Sequence, residues 1–190
     1  MREEPVYEVR QARNHVTKEE ELQVYLESKG WKVVDLAYHH VLSESDCRIL
    51  RSTDSIPSLY YRTFPDFFVT NKDQSMFVEL KVGWSPDRAY IEALPLMMNQ
   101  KRETSFFVPT IYVYAGKITD GEMVATHSVQ VEPSKLVIPK RNSQISPILK
   151  NYFPCIVEER ETRKGTSGDA FVIVDKEKIK KWQPLDDFLN

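Results

Sequence analysis

Apolar and polar positions alternate most regularly over residues 64–82, FPDFFVTNKDQSMFVELKV. Two halves rich in Phe and Val flank a polar NKDQS segment, good turn material, and together they predict a β-hairpin. Strand side chains point alternately to opposite faces, so Met76, Val78, Leu80 and Val82 share one side and Phe77, Glu79 and Lys81 the other. The apolar side can pack on a helix. That leaves the carboxylate and the ammonium together, roughly 7 Å apart at about 3.3 Å per residue. With residues 71–74 as a four-residue loop and Thr70 paired to Ser75, Asp66 falls opposite Glu79. Facing carboxylates ordinarily weaken a ladder. A divalent cation between them reverses the sign, because hard oxygen ligands suit magnesium, and a lysine two residues on can hold or deprotonate a water beside it. The plainer alternative is an exposed hairpin with one Glu79–Lys81 salt bridge.

Other segments carry their own signals. Residues 1–15 are charged and lack a period, which fits a loose arm or an edge strand through Val6, Tyr7 and Val9. Thr17 and Glu20 form a capping box for a helix whose apolar stripe is Leu22, Tyr25 and Leu26 and whose stop is Gly30. WKVVDL, 31–36, reads as a strand. Between 37 and 61, Ser45 or Asp46 can cap a short helix through Ile49 and Leu50, with Pro57 closing the segment before a Tyr60–Tyr61 strand. Ser85 followed by Pro86 starts a helix that carries Ala89, Tyr90, Ala93, Leu94, Met97 and Met98 inward, kinked or restarted at Pro95. FFVPTIYVYA, 106–115, is the next strand. Beyond it lie strands near 123–131 and 171–174, and a short terminal helix over 176–182 with Trp182, Leu185 and Phe188 packing inward.

Composition narrows the class. The 190 residues, 41% hydrophobic and 28% charged, suit one globular domain, 1–190, with a core over about 17–115 and an extension, 116–190, packed on it. The net charge of −2 provides no global basic field, so a nucleic-acid partner would be met by local patches and by a metal. Cys47 and Cys155 stand far apart and suggest neither a disulfide framework nor a zinc motif. With no signal peptide and no span of about 18 apolar residues, the expectation is a soluble intracellular protein without a membrane partner. That places it in a prokaryotic or virus-infected cytoplasm, or in a nucleus.

Pro65-Asp66 on one strand and Glu79-Leu80-Lys81 on the next resemble the signature of the PD-(D/E)XK nuclease superfamily. A second such triplet, Glu27-Ser28-Lys29, has no Pro-Asp upstream, so the conjunction rather than the triplet carries the likeness. EEELQVYLESKGWKVV also resembles the opening helix and strand of archaeal Holliday-junction resolvases. The resemblance implies an α/β fold with a restriction-endonuclease-like core: a mixed β-sheet flanked by helices in the order α-β-β-β-α-β, with extra C-terminal strands. It further implies an endonuclease using Mg²⁺ or Mn²⁺, with DNA favoured over RNA and a homodimer plausible.

By the same resemblance Asp66, Glu79, Glu19 and the Leu80 carbonyl hold the metal, Lys81 acts on the attacking water, and Gln100 orients water or phosphate, with Lys101 second. Glu20 and Glu21 compete with Glu19, and all three equally suit a helix's first turn. Lys101, Arg102, Lys140, Arg141, His39 and His40 are candidate nucleic-acid contacts, and Lys135, Arg160, Arg163 and Lys164 lie in similarly basic loops. Cap-snatching endonucleases of RNA viruses carry a metal-binding histidine upstream of their Pro-Asp, which His39-His40 resembles in order. The alternatives are therefore an RNA endonuclease of that sort, or an idle nucleic-acid-binding or scaffold member of the fold.

Overall fold

A computed structural model describes residues 6–53, 55–83, 85, 87–100, 109–119, 121–140, 145–161 and 169–190, without the side chains of 6–15 and 51. Helix α1 (Val6–Ser28) leads through β1 (Lys32–Asp35) to three short helices, α2 (Tyr38–Val41), α3 (Glu44–Ser52) and α4 (Ile56–Arg62). The hairpin β2 (Phe67–Thr70) and β3 (Ser75–Lys81) follows, then β4 (Arg88–Glu92), α5 (Ala93–Gln100) and β5 (Thr110–Tyr114). The remainder comprises β6 (Val124–His127), β7 (Lys135–Pro139), α6 (Ser146–Tyr152), β8 (Ile156–Arg160), β9 (Phe171–Asp175), α7 (Lys176–Ile179), β10 (Gln183–Pro184) and α8 (Asp186–Leu189).

The strands form two mixed sheets flanked by helices, an α/β architecture. The first runs β1-β2-β3-β5-β6-β10 and the second β4-β9-β7-β8. In the first, β1, β2 and β3 are mutually antiparallel while β5 lies parallel to β3. One face of this sheet, carrying Met76, Val78, Leu80, Ile111 and Val113, packs on Leu22 and Leu26 of α1 and on Leu185 and Leu189. Its opposite face, with Tyr112 and Tyr114, meets Ala89, Ile91, Leu136, Val172 and Val174 of the second sheet and Leu94 and Leu96 of α5. Glu79 and Lys81 pair with Tyr112 and Tyr114, so they look toward this space between the sheets.

Helix α1 ends where the sequence indicated. Gly30 has φ +86, its N–H donates to Glu27 O at 3.0 Å and Trp31 N–H reaches Leu26 O at 3.2 Å, the paired bonds of a Schellman stop. Its start differs. Residues 6–16 continue the helix instead of forming an arm or edge strand, so Thr17 is no N-cap. Helix-favouring Glu, Arg, Gln and Ala in that stretch account for the extension without any apolar period.

Other expectations also yield to pairing or capping. Ser43, not Ser45 or Asp46, caps α3 through the Asp46 N–H. Pro57 sits in the first turn of α4, where it promotes helix, so Tyr60 and Tyr61 are helical rather than extended. The helix expected from Ser85 is instead strand β4 followed by α5; its antiparallel ladder with β9 outweighs the helical spacing of Ala89 and Ala93. Pro95 is the third residue of α5 and neither kinks nor restarts it, because first-turn N–H groups have no intrahelical acceptor. Trp84, Pro86 and residues 106–108 lie outside the described residues.

The 123–131 stretch stops as a strand at His127 and turns into a 3-10 segment, Ser128–Gln130. KLVIP, expected as a basic loop, is the buried strand β7. Residues 116–190 are thus no appendage. They complete the first sheet and supply three of the four strands of the second.

Gly83 and Gly116 flank the Tyr114 phenol so closely that a Cβ at either would stand 2.3 Å from its hydroxyl oxygen. Gly116→Ala is expected to destabilise the protein by about 1–3 kcal/mol through overpacking. Urea denaturation measures this, and a change within about 0.5 kcal/mol would refute the packing.

Candidate active site

The hairpin register brings the first two acids together. Asn71 Oδ1 accepts the N–H groups of Asp73 and Gln74, both at 2.9 Å, closing the four-residue turn. Thr70 then pairs with Ser75 and Phe67 with Val78, which sets Asp66 across from Glu79. The Asp66 N–H donates to Glu79 Oε2 at 3.2 Å, and Asp66 Oδ2 accepts the Leu80 N–H at 2.7 Å. Each carboxylate is therefore oriented by the other strand's backbone. Lys81 follows on the same face as Glu79 and donates to Glu79 Oε1 at 2.5 Å. Its ammonium also donates to Glu92 Oε2, at the end of β4, and so ties the two sheets.

Glu19 joins them from α1. It lies three and seven residues before Leu22 and Leu26, on the buried stripe, and is 3% exposed, whereas Glu20 and Glu21 are exposed. Helical spacing thus separates three adjacent glutamates by direction alone. Of the three, Glu19 is the buried one.

Buried like charges set the electrostatics. Burial pushes the Asp66 carboxyl up from 3.8 to about 7; Lys81 and the Leu80 N–H oppose the rise, and the Glu19 and Glu92 carboxylates add to it. Glu79 is held well above the ordinary carboxylate range by burial and by Asp66. Burial alone would lower Lys81, but Glu79, Glu92 and Asp66 outweigh it and hold its ammonium well above the usual lysine range. Of the two roles the sequence left open for Lys81, holding a water or deprotonating it, a charged ammonium suits the first. Three carboxyl groups, those of Glu79, Glu92 and Asp66, face one ammonium, and an oxygen-only donor pair at Asp66 and Glu79 fits a hard divalent cation.

The remaining candidates divide. Leu80 is at the site through its N–H. Gln100 is not gathered there: its amide donates to the carbonyls of Ser128 at 2.8 Å and Val131 at 3.3 Å, bracing the 3-10 turn. Lys140 pairs with Glu161 at 2.5 Å and Lys135 with Glu158 at 2.9 Å, in exposed ion pairs on β7 and the turn after it. Arg160 stacks on Phe171 at 4.4 Å. Lys101, Arg102, Arg141, Arg163 and Lys164 lie outside the described residues. His39 and His40 occupy the helical turn α2, with their Nε2 atoms 3.9 and 3.7 Å from Glu19 Oε2.

Glu92 escaped the sequence reading, because residues 88–98 carried a helical pattern. The alternation of Arg88, Ala89, Tyr90, Ile91 and Glu92 was the signal that could have placed it on a strand. No protein-family model, curated protein or solved structure matches this chain. Among the described residues, no helix is long and apolar enough to cross a membrane.

A carboxyl raised on folding keeps a proton that the unfolded chain has already lost, so Asp66 makes stability fall as pH rises from about 4 to about 7. With chelator present, Asp66→Asn is expected to melt above wild type at about pH 8 by at least about 3 °C, the equivalent of roughly 1 kcal/mol. The two melting curves should converge below about pH 3, where Asp66 is protonated in both folded and unfolded chains. Parallel pH profiles for the two proteins would contradict this.

Proposed function

We propose that this chain is a metal-dependent nuclease of the PD-(D/E)XK type, hydrolysing phosphodiester bonds of nucleic acid, with DNA the favoured substrate. The observation that carries the reading is the convergence of Asp66, Glu79 and Lys81 on one polar spot, with the two carboxylates cross-oriented by Leu80 and Asp66 N–H groups. The element order supports it. Setting aside the inserted helices α2–α4 and strand β4, which belongs to the second sheet, a helix, three antiparallel strands, a helix and a strand parallel to β3 follow the order expected of a restriction-endonuclease-like core.

Asp66 and Glu79 would hold the cation. When bound, a divalent ion there supplies charge neutralisation and a water of lowered pKa. The chain's own groups do the rest. Asp66 must give up its proton to serve as a ligand, so cation affinity should rise as pH climbs toward about 7. Lys81, kept charged, offers N–H donors to the attacking water or to a non-bridging phosphate oxygen as negative charge develops there. Glu92 positions that ammonium from the second sheet. Glu19 contributes negative potential beside Asp66.

Labelled DNA and RNA incubated with Mg²⁺ or Mn²⁺ tests the proposal. Lys81→Ala and Lys81→Gln should cut at least about 100-fold more slowly while still binding substrate. Asp66→Asn should lose cleavage and the thermal stabilisation that the cation gives wild type. Cleavage undiminished in the folded Lys81 or Asp66 variants would refute the assignment.

A further inference from the structure

We infer that Glu19, His39 and His40 form a second cation site, selective for an imidazole-preferring first-row transition ion, for which we take Zn²⁺, and separate from the Asp66–Glu79 pair. Glu19 comes from α1, and the two histidines come from α2, just beyond β1. One donor atom from each of the three residues lies within 4.8 Å of the others. Glu19 Oε2 stands 3.9 Å from His39 Nε2 and 3.7 Å from His40 Nε2. Tetrahedral zinc with bonds of about 2.0–2.1 Å keeps its donors roughly 3.4 Å apart. The carboxylate-to-imidazole spacings are within a few tenths of an ångström of that value.

A fourth residue supplies independent support. Asp35 Oδ2 lies 2.7 Å from His40 Nδ1, and Asp35 Oδ1 is itself fixed by the Ala37 N–H at 2.9 Å. A carboxylate on the far nitrogen of an imidazole sets the tautomer that presents Nε2 as a lone-pair donor, as carboxylate–histidine–metal arrangements require. Burial is graded in the sense an ion site needs. The Glu19 carboxylate is 3% exposed, while the histidine side chains are 34% and 32% exposed and leave a route from solvent and open coordination positions.

Donor chemistry then sorts the two sites. Two imidazoles and one carboxylate favour zinc, cobalt or nickel, whereas the carboxylates of Asp66 and Glu79 favour magnesium or manganese. The competing account is that the histidines merely pair as cations with Glu19 and Asp35.

Titration of the stripped full-length chain decides between them, with cleavage left out of the readout so that the nuclease proposal stands or falls separately. Wild type should bind one equivalent of Zn²⁺ that excess Mg²⁺ does not displace. Co²⁺ in its place should develop the visible absorption of a low-coordinate imidazole site. His39→Ala and His40→Ala should each weaken that equivalent at least about 100-fold, and Asp35→Asn about 10- to 100-fold. Both histidines are partly exposed, so folded variants are expected, and circular dichroism checks them. Asp66→Asn should leave the zinc equivalent in place. Zinc binding that is absent in wild type, unchanged in both histidine variants, or lost in Asp66→Asn overturns the inference.

Discussion

The ammonium of Lys81, held between Glu79 and Glu92 in the space between two sheets, is the interaction on which the rest of the structure turns. A lysine buried alone would lose its charge, and acids buried alone would keep their protons. Here burial opposes both kinds of charge at once. The lysine resolves the conflict in its own favour because three carboxyl groups face it. The acids do not, and Asp66 sits near the middle of the physiological range. Such a cluster is costly for a fold to keep, since each charge is desolvated and breaking a buried pair leaves an uncompensated ion.

Strand geometry gives the cluster its precision. Side chains on β3 have a period of two, so a one-residue slip in the hairpin would turn Glu79 and Lys81 toward α1 and bring Val78 and Leu80 onto the polar face. The apolar contacts of Met76, Val78 and Leu80 with Leu22 and Leu26 therefore fix the register that the acids depend on. The same helix presents Glu19, so one packing interface aligns both the sheet and a buried carboxylate. Beyond β1, the chain turns His39 and His40 toward that carboxylate.

Local chemistry was legible along the chain wherever it was self-sufficient. The NKDQS turn, the alternation in β3, the Leu22–Tyr25–Leu26 stripe and the Gly30 stop each depend on neighbours a few residues away, and each appears where the pattern put it. Asp66 opposite Glu79 follows from the turn alone. Elements whose identity rests on a distant partner were misread: β4 exists because β9 pairs with it, and β7 because β9 and β8 flank it. Tyr60 and Tyr61 were misread for a local reason, since Ser55 and Pro57 start a helix where a strand was expected.

The amino-acid order by itself determined the hairpin, its facing acids and the neighbouring lysine, because a two-residue period needs only backbone geometry, whereas the choice of Glu19 over Glu20 and Glu21 needed the packing of α1. Only the tertiary structure decided that Glu92 reaches Lys81, that Lys81 stays protonated, that Gln100 braces a turn elsewhere, and that Asp35, His39 and His40 gather at Glu19. Those outcomes depend on which strands lie side by side and how deeply charges are buried. Both are set by long-range packing, which no local pattern encodes.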